Sequence, residues 1–554
     1  MAVPTGTPVI DTLIFDLGDV LFTWSADTKT TVSPKVLRKI LESATWFEYE
    51  KGRLSEDDAY ALTASEHGLQ PQEVRAAFQA ARDTLASRPF MVDLIRQLKP
   101  GRKVYAMSNI SAPDWEVLRS KPSDWDLFDH VFTSAAVGER KPNIGFYRHV
   151  LETTGADPTR TVFVDDKLEN VLVARSFGIH GIVYDTFDNV QQSLLNICGD
   201  PVERGQSFLK ANARNHLSYT STGVTIKENF AQLLILEATH DPSLVEYTKY
   251  DGVFNFFRGQ GELTTAVFPC DADTTSIGLT CSDHLPASKK HQIMDDILKL
   301  RNHDDILQVY FDPTRPRIDP VVCVNVLTLF HSHGRGHEVT ETFDWVEQVL
   351  KYRAFSEGTR YYEPAEAFLY FLSRLLAISP IARQRLGRVY IERCRERVGL
   401  KGDALALAMR VICCAEEGID ASVDVVALRE MQSIDGGWPD GWFYKYGSNG
   451  VLIANRGFTT ALAINAIRAH DKLLRQKRSR ASAPATLKSE ISLSALDGEL
   501  RPLLQSKSMS NRSVTLSKTT KMANESDLRA WVGAICGLSV GVATTWMVRS
   551  TVFS

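Results

Sequence analysis

Carboxylates at two places in this 554-residue chain are spaced for opposite kinds of chemistry. In Asp271-Ala272-Asp273-Thr274-Thr275 two aspartates stand two apart ahead of a short Thr/Ser run. Mutual repulsion and burial keep one of two such carboxyls protonated near neutral pH, which makes it a proton donor. In Asp165-Asp166-Lys167-Leu168-Glu169 the carboxylates follow the apolar run Thr161 to Val164, so they emerge at the C-terminal end of a strand. Open α/β sheets collect phosphates and magnesium at that edge. Proton donation and phosphate handling in one chain require a substrate that offers both.

The second cluster has companions. Asp16 ends one strand-like run and Ser108 the next, Lys141 precedes Pro142, and Asp165 with Asp166 ends a later run. Such a sheet edge lets Asp16 act as nucleophile and magnesium ligand, Ser108 and the backbone of Asn109 bind phosphoryl oxygens, Lys141 neutralise charge, and Asp165 and Asp166 complete the metal site.

The elements that must carry these groups divide the chain in two. Thr12 to Phe15, Lys103 to Ser108, His130 to Thr133, Thr161 to Val164 and His180 to Tyr184 are short strand-like runs separated by helical stretches, the pattern of a parallel α/β sheet. Between the first two, residues 33–98 have helical period and charge and predict a helical cap over the pocket, within a first domain of residues 1–200. From 201 to 470 the periodicity is helical throughout and predicts an all-α domain. There Pro269 and the Asp/Thr/Ser run predict a helix start, but capping needs one such residue and this segment supplies more. For an anionic ligand, Arg258, Arg335, Lys445 and Arg456 are the cationic candidates. Trp438, Trp442, Phe443, Tyr361 and Tyr362, near the turns of this domain, are candidate aromatic cavity walls.

Residues 471–527, rich in Ser, Lys, Arg and Thr, predict a solvated linker, and Lys472 to Arg480 within it could touch anionic lipid. In the tail, 528–554, Ala530 to Val548 is uncharged between Arg529 and Arg549, just long enough to cross a bilayer; it predicts a C-terminal membrane anchor on a protein made in the cytosol. A formal charge of -4 argues against a nucleic-acid partner. The eight cysteines show neither CxxC pairs nor zinc spacing, so reduced thiols are expected.

With Phe15-Asp16-Leu17-Gly18-Asp19-Val20 as its first motif, the N-terminal part resembles the haloacid dehalogenase-like hydrolases. Phosphatases of that superfamily usually carry a second Asp two residues after the nucleophile; here the position is Gly18. The Asp271–Thr275 run resembles the Asp-x-Asp-Thr-Thr signature of protonating (class II) terpene cyclases. Gln432-Ser433-Ile434-Asp435-Gly436-Gly437-Trp438 is similar to the Gln-x-x-x-Gly-x-Trp repeat of the same group. Together the halves resemble the fungal drimane-type sesquiterpene cyclases, the drimenol and albicanol synthases among them. That resemblance implies an α/α barrel for the helical half, Asp273 as proton donor, and Asp271 and Thr275 as the neighbours that orient it. It implies Mg2+ held by Asp16, Asp165, Asp166 and Glu169, and a small-molecule prenyl diphosphate as substrate. The implied reaction cyclises farnesyl diphosphate and then removes the diphosphate to leave a drimane alcohol. The alternative, which Gly18 favours, is a cyclase that releases the bicyclic diphosphate to a separate phosphatase.

Overall fold

The computed structural model describes residues 9–265, 267–281 and 283–482. The anchor expected at Ala530 to Val548 lies outside them, as does the linker beyond 482. Among the described residues no helix is long and apolar enough to cross a membrane.

The first half forms a five-stranded parallel sheet in the order His130–Thr133, Lys103–Ser108, Thr12–Phe15, Thr161–Asp165, His180–Val183. Thr12–Phe15 sits centrally, in register with Lys103 to Ala106 on one side and Thr161 to Val164 on the other. Its four residues are all buried, as a strand covered on both faces must be. Because the strands are parallel, Asp16, Ser108 and Asp165 finish on one edge.

Four helices, Pro34–Leu41, Ala44–Glu50, Glu56–His67 and Pro71–Asp83, build the cap. Ser33, Ser43 and Ser55 cap the first three by accepting backbone N–H bonds. The cap has its own core, in which Trp46 stacks on Phe78 with ring centroids 4.0 Å apart. The following helix, Pro89–Leu98, was expected in the cap. It packs instead against the sheet, because Met91, Leu94, Ile95 and Leu98 make an apolar stripe that joins the core around Leu13 and Val104.

The second half is helical. Helices Phe230–Thr239, Ala272–Cys281, Pro320–Ser332, Ala365–Ile378 and Ala404–Glu416 pack as successive neighbours, while Thr340–Lys351, Pro380–Arg397 and Ser422–Glu430 lie outside them. The final helix, Arg456–Ser482, returns to the first: Asn465 Nδ2 donates to the Ala238 carbonyl at 2.8 Å, closing an α/α barrel. The inner helices are apolar nearly all round, and every residue from Val321 to Phe330 is buried. One feature departs from the all-α expectation. Trp442–Lys445, Leu452–Asn455, Ser218–Thr220 and Thr225–Ile226 form a small antiparallel sheet, with strands too short and too far apart in sequence to give a period-2 signal. The helix Arg456–Ser482 also continues through the first residues of the expected linker, since Leu473 still reaches the core.

The Gln432–Trp438 repeat joins the halves. Gln432 Nε2 donates to the Pro201 carbonyl, its Oε1 accepts from Arg204, and its own carbonyl accepts from Gln192 and Asn196. Trp438, fully buried, packs where Gly205 leaves room for it.

Candidate active site

At the sheet edge, Asp16, Asp165 and Asp166 place carboxylate oxygens within 4.8 Å of one another. Lys141, 1 % exposed, lies between two of them, with Nζ 2.8 Å from Asp16 Oδ1 and 2.6 Å from Asp165 Oδ2. Asp165 is pinned further, since Oδ1 accepts from the Lys167 N–H and from Asn170 Nδ2. Asp16 Oδ1 accepts from the Leu17 N–H at 2.7 Å, which leaves Oδ2 outside these bonds. Burial pushes the Asp16 carboxyl up to about 7, Lys141 pulls it back, and Asp165 raises it again. Three carboxylates that bring hard oxygen donors within 4.8 Å of one another suit a small divalent ion such as Mg2+.

Glu169 does not join them. It is exposed on the first turn of the helix Leu168–Ser176, whose buried face presents Asn170 instead. Ser108 is buried at its strand end. The Asn109 side chain is engaged elsewhere: Nδ2 donates to the Lys141 carbonyl and Oδ1 accepts from the Lys141 N–H, a clamp that positions the lysine. Gly18 supplies no side chain, and Asp19, in the left-handed region at φ 57°, accepts from Trp24 Nε1.

In the barrel, the N-terminal ends of the inner helices converge on a cavity of ≈ 390 Å³, within the range of roughly 300–1,000 Å³ usual for small-molecule sites. Asp271 and Asp273 both line it and both are buried. Asp271 caps the helix Ala272–Cys281: Oδ1 accepts from the Thr274 N–H at 2.6 Å and Oδ2 from the Thr274 hydroxyl at 3.0 Å. Asp273, in the first turn of that helix, is held by one group from the helix Pro320–Ser332 and one from the segment just before the helix Ala365–Ile378. Asn325 Nδ2 donates to Oδ1 at 2.7 Å and the Tyr362 hydroxyl to Oδ2 at 2.5 Å.

Thr275 does not orient Asp273; its hydroxyl oxygen accepts from the Phe254 N–H at 2.9 Å and so ties the preceding loop to the helix. Burial pushes Asp273 up to about 7 against the hydrogen bonds of Tyr362 and Asn325, with Asp319 raising it and Arg374 lowering it. Asp271 is pushed up to about 8, by burial first and by Asp273 second. Burial therefore outweighs the mutual repulsion that the two-residue spacing suggested. The group is protonated up to neutral pH yet remains a competent acid.

Of the aromatic candidates, Tyr361 and Tyr362 line the cavity. Trp438 and Phe443 are core residues with no exposure, and Trp442 lies on the strand beside them. The wall is instead completed by Phe230, Phe256, Phe268, Tyr310, Tyr444 and Tyr446, none of which carried a sequence signal distinguishing it from core. On the more exposed rim stand Arg315, Arg317 and Lys445. Lys445 pairs with Glu363 and Arg315 with Asp312; Arg317 forms no ion pair with any described residue. Three of the four cations expected from sequence are committed elsewhere as ion pairs: Arg258 with Glu246, Arg335 with Asp295 and Glu338, and Arg456 with Asp435.

Two family models match the chain: a haloacid dehalogenase-like hydrolase over residues 6–178, and a sesquiterpene cyclase astC-like C-terminal domain over residues 202–333. Drimenol cyclase drtB of Aspergillus calidoustus is 45% identical over 465 residues, covering 83% of this chain and 88% of that protein. Sesquiterpene phosphatase astK of Aspergillus oryzae is 45% identical over 170 residues, covering 30% of this chain and 87% of that protein.

Proposed function

The chain belongs to the family of fungal drimane-type sesquiterpene cyclases, in which a haloacid dehalogenase-like half precedes a helical cyclase half, and from that premise we propose that it converts farnesyl diphosphate into a bicyclic drimane-type alcohol. The observation that carries the reading is Asp273: a buried carboxyl near its neutral form, facing an aromatic cavity whose rim is cationic.

Asn325 donates to Oδ1 and Tyr362 to Oδ2, so neither neighbour takes the acid's proton and it is left to the cavity. The terminal alkene of the substrate takes that proton; the O–H bond breaks as the new C–H bond forms, and a tertiary cation results. The carboxylate left behind is stabilised by Tyr362, by Asn325 and by the N-terminal end of its own helix. Ring closure passes the charge along the aromatic faces of residues such as Phe230, Phe256 and Tyr310, which stabilise a cation without trapping it. Proton loss ends the sequence. Arg315, Arg317 and Lys445 hold the diphosphate at the rim, and keeping it bonded prevents ionisation to a different, allylic cation.

The sheet-edge group then acts on the cyclised diphosphate. Asp16 attacks the terminal phosphorus through Oδ2 as the bridging P–O bond breaks and the cyclised monophosphate leaves. Water then hydrolyses the aspartyl phosphate and a second round frees the alcohol, while Lys141 fixes the nucleophile and Asp165 relative to each other. Asp16, Asp165 and Asp166 would hold Mg2+, which when bound neutralises phosphoryl charge. A second reading rests on Gly18: with Asp19 turned to Trp24, no carboxylate occupies the usual acid position, and the chain would then release the bicyclic diphosphate.

The test is Asp273→Asn, incubated with farnesyl diphosphate and magnesium and analysed with and without added phosphatase. Bicyclic products should disappear from both arms, while hydrolysis of p-nitrophenyl phosphate continues. Bicyclic product at the wild-type rate would overturn the assignment. In the unmutated protein, bicyclic alcohol seen only after added phosphatase would select the second reading.

A further inference from the structure

The barrel has a second cavity, of ≈ 590 Å³, at the C-terminal ends of the same inner helices. Arg374 and Glu237 line it, and they are not isolated from the acid at the other end. Arg374 Nη2 donates to Glu237 Oε1 at 2.5 Å, and its Nη1 donates to Asn325 Oδ1 at 2.9 Å. The other end of that amide donates to Asp273 Oδ1 at 2.7 Å. Four helices thus contribute one residue each to a single chain of hydrogen bonds running from the far mouth to the acid.

The direction of these bonds has a chemical consequence. A guanidinium has donors only, so the group it meets on Asn325 must be the carbonyl oxygen, and the amide NH2 must face Asp273. An oxygen that accepts from NH2 cannot also direct the acid's proton toward that group, so the amide, like the Tyr362 hydroxyl that donates to Oδ2, leaves the proton to the cavity. Without Arg374 the amide can rotate by half a turn. Its carbonyl would then accept the proton of Asp273 and hold it on the side away from the substrate.

We propose that Arg374, anchored by Glu237, is a positioning residue for the cyclisation: it locks the Asn325 amide in the one orientation that presents the proton of Asp273 to the cavity. This rests on Asp273 being the acid, a point that Asp273→Asn tests separately.

The experiment is a double-mutant cycle on the full chain, read as kcat and KM for cyclised product after added phosphatase. Arg374→Met and Asn325→Leu should each lower kcat by about tenfold to a hundredfold with KM within about twofold, the scale expected for a misdirected general acid. The double variant should be no slower than the slower single, because Arg374 acts only through the amide. Glu237→Leu should share the defect, and Glu237→Gln, which still accepts from Arg374, should restore most of the rate. Additive losses in the cycle, a change confined to KM, or a wild-type rate in Arg374→Met would overturn the proposal. Should Arg374→Met lose its cooperative thermal transition, the Glu237 pair decides: equal rates for the Leu and Gln variants would refute it.

Discussion

Replacing Tyr362 by Phe removes one hydroxyl from the acid and nothing else. That hydroxyl donates to Asp273 Oδ2 inside a fully buried pair, and it is the largest influence holding Asp273 down against burial. A hydrogen bond to a charged group is worth about 1.5–3 kcal/mol. At about 1.4 kcal/mol per pKa unit, losing it raises Asp273 by about one to two units.

The protonated acid is the working form, so cyclisation by the unmutated protein holds below about pH 7 and falls as pH rises through that value. In Tyr362→Phe the falling limb should move to about pH 8–9. At pH 8 the protonated share would rise from about one tenth to about one half or more. The same change makes a weaker acid; if half of it reaches the transition state, the low-pH plateau drops by about threefold to tenfold. The variant is therefore slower at pH 6 and close to its parent at pH 8. Asp319 and Arg374, which also face Asp273, are left in place. The assay is quenched-flow formation of bicyclic product, released by added phosphatase so that the sheet-edge chemistry does not enter. A limb that stays near pH 7, or moves down, would refute the argument that Tyr362 stabilises the carboxylate.

Asp16→Asn should lower diphosphate release by more than about a thousandfold, as loss of a nucleophile does, and bicyclic diphosphate should accumulate in mass spectra. Chelation with EDTA should give the same accumulation while bicyclic skeletons continue to form. Arg317→Gln should raise KM for farnesyl diphosphate by about tenfold, the cost of one charge-assisted contact, with kcat little changed in steady-state assays. Gly436→Ala places a Cβ 2.4 Å from the Arg204 carbonyl oxygen at a φ of 90°. It should destabilise the junction between the halves by about 2–4 kcal/mol, read from urea unfolding.

What the chain alone determines here is local in sequence. Asp16, Ser108 and Asp165 were legible because a buried apolar strand delivers the next polar residue to the sheet edge, and parallel strands share that edge. Asp271 to Thr275 was legible because five consecutive residues carry the pattern. Glu169 misled for the complementary reason: once a helix begins at Leu168, its turn sends that side chain to solvent and Asn170 to the carboxylates. The hydrogen bonds that hold Asp273 come from residues 52 and 89 positions away, and Arg374 meets Glu237 across 137. Nothing in the local run marks Asn325 or Arg374, since each lies in an apolar helix that reads as core, and Tyr362 was legible as a cavity wall but not as the partner of Asp273. Only closure of the barrel brings the inner helices together, and with them the low-dielectric hollow and the directed hydrogen bonds that an isolated motif cannot possess.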